Sequence, residues 1–504
     1  MGVNLQKAAL LGRRLARIGK LPVQVLVLLT AFATLPVLEA THLTSLFEND
    51  IWWHLRTGDW ILQNHAFPHN GLFTQYPNHP WIAYSWGFEI IASAFCKVFG
   101  LRGIPVLLMV LQAAFALSLF VLSRRRAGRF WPVPVLVAIG LYTVAYTPVR
   151  PVMLTFILAC LALRLIWDSR ETGNIRSLYW LPPLFLLWAN LHIQFVYGLL
   201  YVGVLLAAVV FEEILQRAGI TWLEARPRLP LPALVVVTGL SCLATLLTPY
   251  SYHLYEVMVG YASNKEAYNY IVELLPMNFR EWQHYVLLAA VMLAFFSLGC
   301  ARKLDLFRLS LMTVTAVLSF HTQRDTWLVL FPAIAVLADA LSGRQMEESP
   351  PDARPKWARP EAIAVTLLPC VLALAVIIKI PSDRQKLLAV VNRQFPVGAC
   401  DYIRAAHLPQ PLYNTLDWGG FILWYLPEYP VAMDGRNDLY GEELDVRQIS
   451  VLLTRTAPDF DPALMRAGTI LMEKRYPVNE LLSGSRLFAP VFIDDKSMVY
   501  VRIR

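Results

Sequence analysis

Charge is scarce in this chain. Asp, Glu, Lys and Arg make up 16% of its 504 residues, against about 25% in soluble domains. Apolar residues fill the gap: 57% are hydrophobic and mean hydropathy is +0.48, above the roughly 45–50% usual for soluble proteins. A soluble enzyme is excluded and a polytopic membrane protein is indicated. Cysteine is also sparse. Cys96, Cys160, Cys242, Cys300 and Cys370 are scattered through apolar windows, and Cys400 stands alone outside them. That spacing is neither a disulfide framework nor a zinc site, and the thiols read as small buried hydrophobes. No small-residue cleavage site follows the apolar stretch 21–38, so it reads as a retained span and not a signal peptide. No internal repeat is visible. The net charge of +8 flanks spans and forms no single patch, which argues against a nucleic-acid partner.

Apolar windows long enough to cross about 30 Å of hydrocarbon fall at 21–40, 103–123, 131–148, 151–167, 178–191, 193–211, 231–248, 284–300, 306–320, 325–341 and 361–380. They predict about eleven crossings. Residues 84–99 are apolar but contain Glu89 and Lys97, and are expected to form a helix lying at the interface. Arg13, Arg14, Arg17 and Lys20 precede the first span, and Arg124, Arg125, Arg126 and Arg129 follow the next complete one. Positive-inside bias places these in the cytoplasm. The loops 168–177, 212–230, 301–305 and 342–360, each carrying Arg or Lys, then fall on that side too. The opposite side receives 41–102, Arg150, His192, 249–283, 321–325 and everything after 380.

The expected fold class is therefore a polytopic α-helical membrane protein, residues 1–380, with a C-terminal extracytoplasmic α/β domain, residues 381–504. A Pro-rich charged linker covers 342–360. Beyond 381, helical patterns at 396–407, 417–426, 442–453 and 478–484 alternate with β-like runs at 411–414, 430–433, 469–473, 490–493 and 498–503. Asp494-Asp495 is a plausible hairpin turn.

The first outer loop is dense in polar chemistry: "ENDIWWHLRTGDWILQ" (48–63). Read as a helix over 50–63, it places Ile51, Leu55, Gly58 and Leu62 on one side and Arg56, Asp59 and Gln63 nearly opposite. Asp50 and His54, at i and i+4, share a narrow face. Such a helix is expected to lie along the membrane surface with its tryptophans at headgroup depth. In its blander reading Asp50 merely caps the helix. Further ionisable or polar residues reach the same face: Arg150 in "TPVRP", Asn190 and His192 in "WANLH", Tyr250 and His253, and His321, Arg324 and Asp325 in "FHTQRD". Such groups near hydrocarbon are costly and usually line a cavity or path. Together they predict a polar cavity with arginines for an anion, a phosphate fitting guanidinium forks best. The outer domain adds Asp417 and Trp418 in "DWGG", and Asp434, Arg436 and Tyr440 around "DGR". These suit a ligand contact after a strand and, equally, an Asp–Arg pair that holds the domain together.

"DIWWHLRTGDWIL", Arg150-Pro151…Phe156, "WANLH", a late-span arginine and "DWGG…DGR" together resemble bacterial members of the GT-C glycosyltransferase superfamily, over essentially the whole chain. More distantly, Asp50 with "WWHLR" is similar to the loop acid of oligosaccharyltransferase catalytic subunits. The chain departs from the latter in lacking a complete second set of metal-binding acids, which leaves a divalent cation open. It departs from the former at Ile193-Gln194, where a Gly-rich pair more often follows the histidine. The resemblance implies a multi-pass protein of the bacterial inner membrane. It implies inverting transfer of a sugar from a polyprenyl-phosphate-linked donor to an extracytoplasmic protein, lipid or glycan acceptor. Asp50 would be the general base, with His54 or His192 orienting. Arg324 and Arg150 would hold the lipid phosphate, and Arg56, Asn190, His321 and the 417–440 segment would complete the substrate contacts. A flippase or transporter of lipid-linked precursors, a non-catalytic binding subunit and a polysaccharide ligase or polymerase remain the other readings. The clustering of polar residues at span ends favours chemistry at the surface over passage, which needs ionisable residues near the midplane.

Overall fold

The computed structural model describes residues 2–125, 128–144, 148–224, 226–263, 272–342, 355–453 and 461–503. The side chains of Arg13, Arg14 and Arg17, residue 126 and the linker residues 343–354 lie outside what is described. So do residues 145–147 of the expected 131–148 span and part of the 249–283 loop.

Each of the eleven apolar windows contains a helix: α1 (Gly2–His42), α4 (Gly103–Ser123), α5 (Pro132–Thr143), α6 (Val152–Thr172), α7 (Leu181–Leu191), α8 (Phe195–Arg217), α9 (Leu231–Ala244), α11 (Trp282–Gly299), α12 (Leu306–His321), α13 (Trp327–Ser342) and α14 (Pro360–Lys379). Among the described residues, seven helical runs have the length and apolarity to cross a membrane: Lys20–His42, Trp86–Ser123, Val152–Thr172, Phe195–Arg217, Trp282–Gly299, Gln323–Ser342 and Pro360–Lys379. The protein is a polytopic membrane protein. The other four windows form helices of 11 to 16 residues. The window at 178–191 opens with a 3₁₀ turn (Ile175–Trp180), and Pro182-Pro183 begin the 11-residue α7, the first turn being where proline costs a helix no hydrogen bond.

Residues 84–99 form α3 (Trp86–Phe99), which continues through a 3₁₀ turn (Gly100–Arg102) into α4 as one apolar run of 38 residues. α3 packs along α2 (Ile51–Asn64), the expected first-loop helix. Gly58 makes this contact feasible, since a Cβ there would lie 2.1 Å from the Glu89 carbonyl oxygen.

The two ends of the bundle differ in chemistry. At one end, helix termini and the basic loops grouped together by charge are laced by ion pairs. Arg125 and Arg308 meet Asp339, Arg226 meets Glu171 at 2.8 Å and Asp305 at 3.3 Å, and Arg170 meets Glu212 at 2.8 Å. At the other end lie the first loop, the turn at Arg150, His192 and α10 (His253–Ser263), covered by the C-terminal residues.

The C-terminal α/β domain follows α14. It holds α15 (Arg384–Val391), α16 (Val397–Ala405), α17 (Leu416–Tyr425), α18 (Asn437–Leu453), α19 (Pro462–Arg466) and α20 (Val478–Ser483). Its four strands are β1 (Leu412–Asn414), β2 (Thr469–Glu473), β3 (Phe488–Ile493) and β4 (Ser497–Arg502), in the order β1-β2-β4-β3. β1 and β2 are parallel, and the other pairs are antiparallel. Asp494 closes the β3–β4 hairpin by accepting from the backbone N–H groups of Lys496 and Ser497. The expected strand at 430–433 is the exception. Val431 leaves the sheet to pair with the first loop, accepting from Gln75 N at 3.0 Å and donating to Phe73 O at 3.1 Å. The domain and the first loop are thus joined through their backbones.

Trp52 and Trp53 of α2, expected at headgroup depth, are instead buried within the protein. Trp52 is fully buried against Phe395, Phe421 and Trp424 of the C-terminal domain. Trp53 is buried beside His54 and Trp81. Burial against another domain removes these apolar faces from water more completely than an interfacial position does.

Candidate active site

The polar end of the bundle encloses a cavity of about 790 Å³ beneath the C-terminal domain, within the size range of small-molecule sites. Asp50 stands in its wall as the residue preceding α2. Its side chain makes no hydrogen bond to the helix start, so capping does not account for it. Instead Asp50 Oδ2 lies 3.2 Å from Arg150 Nη2. Arg150, held in the turn before α6, also donates through Nε and Nη2 to Glu48 Oε1 at 2.7 and 2.5 Å. Its Nη1 is 3.6 Å from Glu273 Oε2. Glu273 Oε1 in turn lies 3.6 Å from Arg324 Nη1. Glu273 thereby bridges the two guanidiniums. Burial raises the Asp50 carboxyl to about 6; Arg150 opposes the rise, and Glu48 adds to it. A carboxylate poised there is ionised at neutral pH yet basic enough to take a proton.

His54 shares the cavity wall. Its Nδ1 pairs with the buried Glu89 Oε1 at 3.3 Å. Burial, reinforced by Arg150 and His192, holds the imidazole well below its ordinary value, so it is neutral. His192 also lines the cavity, as the residue that caps the C-terminal end of α7. The Thr155 hydroxyl accepts from Trp188 Nε1 at 2.9 Å and lies 2.8 Å from His192 Nδ1, fixing the ring between α6 and α7.

The "DWGG" and "DGR" motifs bring the C-terminal domain onto this site. A Cβ at Gly419 would lie 1.8 Å from Met433 O, and one at Gly420 2.6 Å from Asn49 O. At Gly435 it would lie 2.1 Å from Asp50 Oδ1. Each glycine permits an approach that any side chain forbids. Asp417 reaches the cavity from the first turn of α17 and accepts from Arg475 at 2.7 Å. Asp434, Arg436 and Tyr440 sit apart from the cavity as a buried pin. Arg436 donates to Asp434 Oδ1 and Oδ2 at 2.8 and 2.7 Å, and Tyr440 OH donates to Oδ2 at 2.8 Å. Arg436 Nη2 also donates to Leu72 O of the first loop, and its guanidinium covers the Trp81 ring. These three match the reading of an Asp–Arg pair that holds the domain in place.

Of the residues singled out from sequence, Asp50, His54, Arg150, His192, Arg324 and Asp417 meet in the cavity. Arg56 instead stacks over Phe73. Asn190 accepts from Trp86 Nε1 and donates to the Leu186 and Leu247 carbonyls. Trp418 is buried in the core. His321 ends α12, exposed and outside the cavity lining. Glu48 and Glu273 were missed, although both fall in segments assigned to this face. Glu48 stands two residues before Asp50, a spacing that a search for paired acids would have flagged.

A divalent cation does not fit the arrangement as it stands. The Arg150 guanidinium occupies the space that Glu48, Asp50 and Glu273 share. Among the described residues no three His, Cys, Asp or Glu side chains converge.

No family profile matches the chain, and neither does any curated protein. Solved structures do. The apo oligosaccharyltransferase of Archaeoglobus fulgidus aligns over 90% of this chain and 69% of that one, at 11% identity and a TM-score of 0.53. ArnT from Cupriavidus metallidurans bound to undecaprenyl phosphate aligns over 96% and 98%, at 14% identity and a TM-score of 0.48. The first of these likenesses shows the fold alone: this chain shares with that oligosaccharyltransferase a helical membrane bundle followed by a C-terminal domain.

Proposed function

We propose that this chain is an inverting glycosyltransferase of the bacterial inner membrane. It would move a sugar from a polyprenyl-phosphate donor to an acceptor on the extracytoplasmic face, where the C-terminal domain stands. One observation carries the reading: an acid outside any helix-capping role, two guanidiniums and two neutral histidines converge from separate segments on one cavity at the bundle's end. The fold it shares with an oligosaccharyltransferase supports it.

In the proposed step the acceptor hydroxyl oxygen attacks the anomeric carbon as the bond from that carbon to the phosphate oxygen breaks. The bonding pair leaves with the polyprenyl phosphate, and Asp50 takes the hydroxyl proton. A single displacement inverts the anomeric centre. General-base assistance is typically worth 10²–10⁴-fold. Arg324 is paired at longer range than Arg150 and would hold the departing phosphate. Arg150 would contribute charge while keeping Asp50 in place, since preorganised electrostatics at the leaving group are a large part of such catalysis. The test is turnover of radiolabelled polyprenyl-phosphate sugars by the purified chain with cell-envelope acceptors. Release of polyprenyl phosphate with labelled product supports the reading. Transbilayer movement of the donor without bond cleavage would overturn it in favour of a carrier.

A further inference from the structure

One wall of the cavity carries polar atoms that the proposed chemistry does not use. Thr143 ends α5, His284 lies in the first turn of α11 and Trp327 opens α13, three helices that pack on one another. All three side chains line the cavity, and they are 6%, 6% and 1% exposed. Thr143 Oγ1, His284 Nδ1 and Trp327 Nε1 each lack a hydrogen-bond partner among the described residues. Buried polar groups are nearly always satisfied, and exceptions in one place call for an explanation. Around Asp50 and Arg150, by contrast, the charged groups are paired.

We infer that the Thr143–His284–Trp327 wall is a subsite for an uncharged, hydroxyl-bearing ring: the glycosyl unit of the donor. This deepens the transferase reading and rests on it. A hydroxyl, an imidazole nitrogen and an indole N–H offer both donors and acceptors with no guanidinium or ammonium among them. Sugar hydroxyls, each donor and acceptor, match that set. Phe156, which packs on Trp327 at 5.8 Å and lines the same cavity, supplies an apolar face for the ring's C–H surface. A phosphate, which only accepts, is better served by Arg324. A polyprenyl chain would leave all three polar atoms facing hydrocarbon. In the free protein, water can fill these positions, and ring hydroxyls can replace it without losing the bonds.

The test is binding to the detergent-purified full chain of four ligands: bare polyprenyl phosphate and its neutral-hexose, hexuronate and aminohexose conjugates. The wild type should bind the neutral conjugate at least about tenfold more tightly than the bare lipid, a difference of about 1.4 kcal/mol. Thr143→Val, nearly isosteric, should erase most of that preference and leave bare-lipid affinity unchanged, and His284→Leu should do the same. Equal weakening of both ligands, or a wild-type preference for a charged conjugate, would overturn the subsite. If no polyprenyl lipid binds, the donor reading itself fails. Saturation-transfer NMR with a methyl hexopyranoside then decides the subsite alone: saturation lost in Thr143→Val supports it, and no saturation in the wild type rejects it.

Discussion

Gly435 and Asp50 are packed so tightly that a methyl group on Gly435 would lie 2.1 Å from Asp50 Oδ1. These two residues stand more than 380 positions apart in the chain, so the C-terminal domain and the first loop form one wall of the site. Gly435→Ala must push the carboxylate off Arg150. Misplacing a reacting group by about 1 Å can cost about 10²-fold, so kcat should fall by about that factor with donor KM little changed. Unchanged steady-state kinetics with normal folding would remove this contact from the mechanism.

Arg150 is the counter-charge that limits how far burial raises Asp50. Arg150→Gln withdraws that stabilisation of the carboxylate, so the carboxyl must become a weaker acid. The acidic limb of the kcat/KM–pH profile, expected near pH 6 in the wild type, should then move up by at least about one pH unit. A limb that stays in place or moves down would show that another group sets it.

The buried Asp434–Arg436 pair should be costly to break from one side. Removing one partner leaves an unpaired buried charge, at about 3–5 kcal/mol. Asp434→Ala should therefore lower the thermal midpoint sharply, and Asp434→Ala with Arg436→Met should recover part of the loss. A mild single-variant effect would mean that water replaces the partner.

Asp438 gives a pH dependence of stability with a definite sign. Burial raises its carboxyl from an ordinary 3.8 to about 7, and Tyr261 OH donates to it at 3.4 Å. The folded chain therefore holds a proton there that the unfolded chain gives up near pH 4. Between these values the unfolded state binds fewer protons, so this group's contribution to stability falls as pH rises from about 4 to about 7. Asp438→Asn should flatten that slope in thermal scans across this range. An identical slope in the variant would place the titrating group elsewhere.

Periodicity and span length made the helices legible, because hydrocarbon thickness and backbone satisfaction act on contiguous sequence. Charge bias likewise grouped the loops, and Arg125 with Asp339 and Arg226 with Glu171 do meet. What stayed hidden depended on pairing across the chain. Residues 430–433 read as a strand, yet Val431 makes only an isolated bridge, and its partner is the first loop and not the sheet. Trp52 looks like an interfacial anchor until the domain that covers it is in place. Arg56 and Arg150 are equally polar in sequence. Only packing puts one over Phe73 and the other among three carboxylates.

The most direct measurement compares wild type and Asp50→Asn for donor binding and for release of polyprenyl phosphate. The account predicts that the variant binds the donor within about threefold of wild type but turns it over at least about 10²-fold more slowly. An Asp50→Asn protein that folds, binds and transfers at the wild-type rate would contradict the assignment of Asp50 as the base.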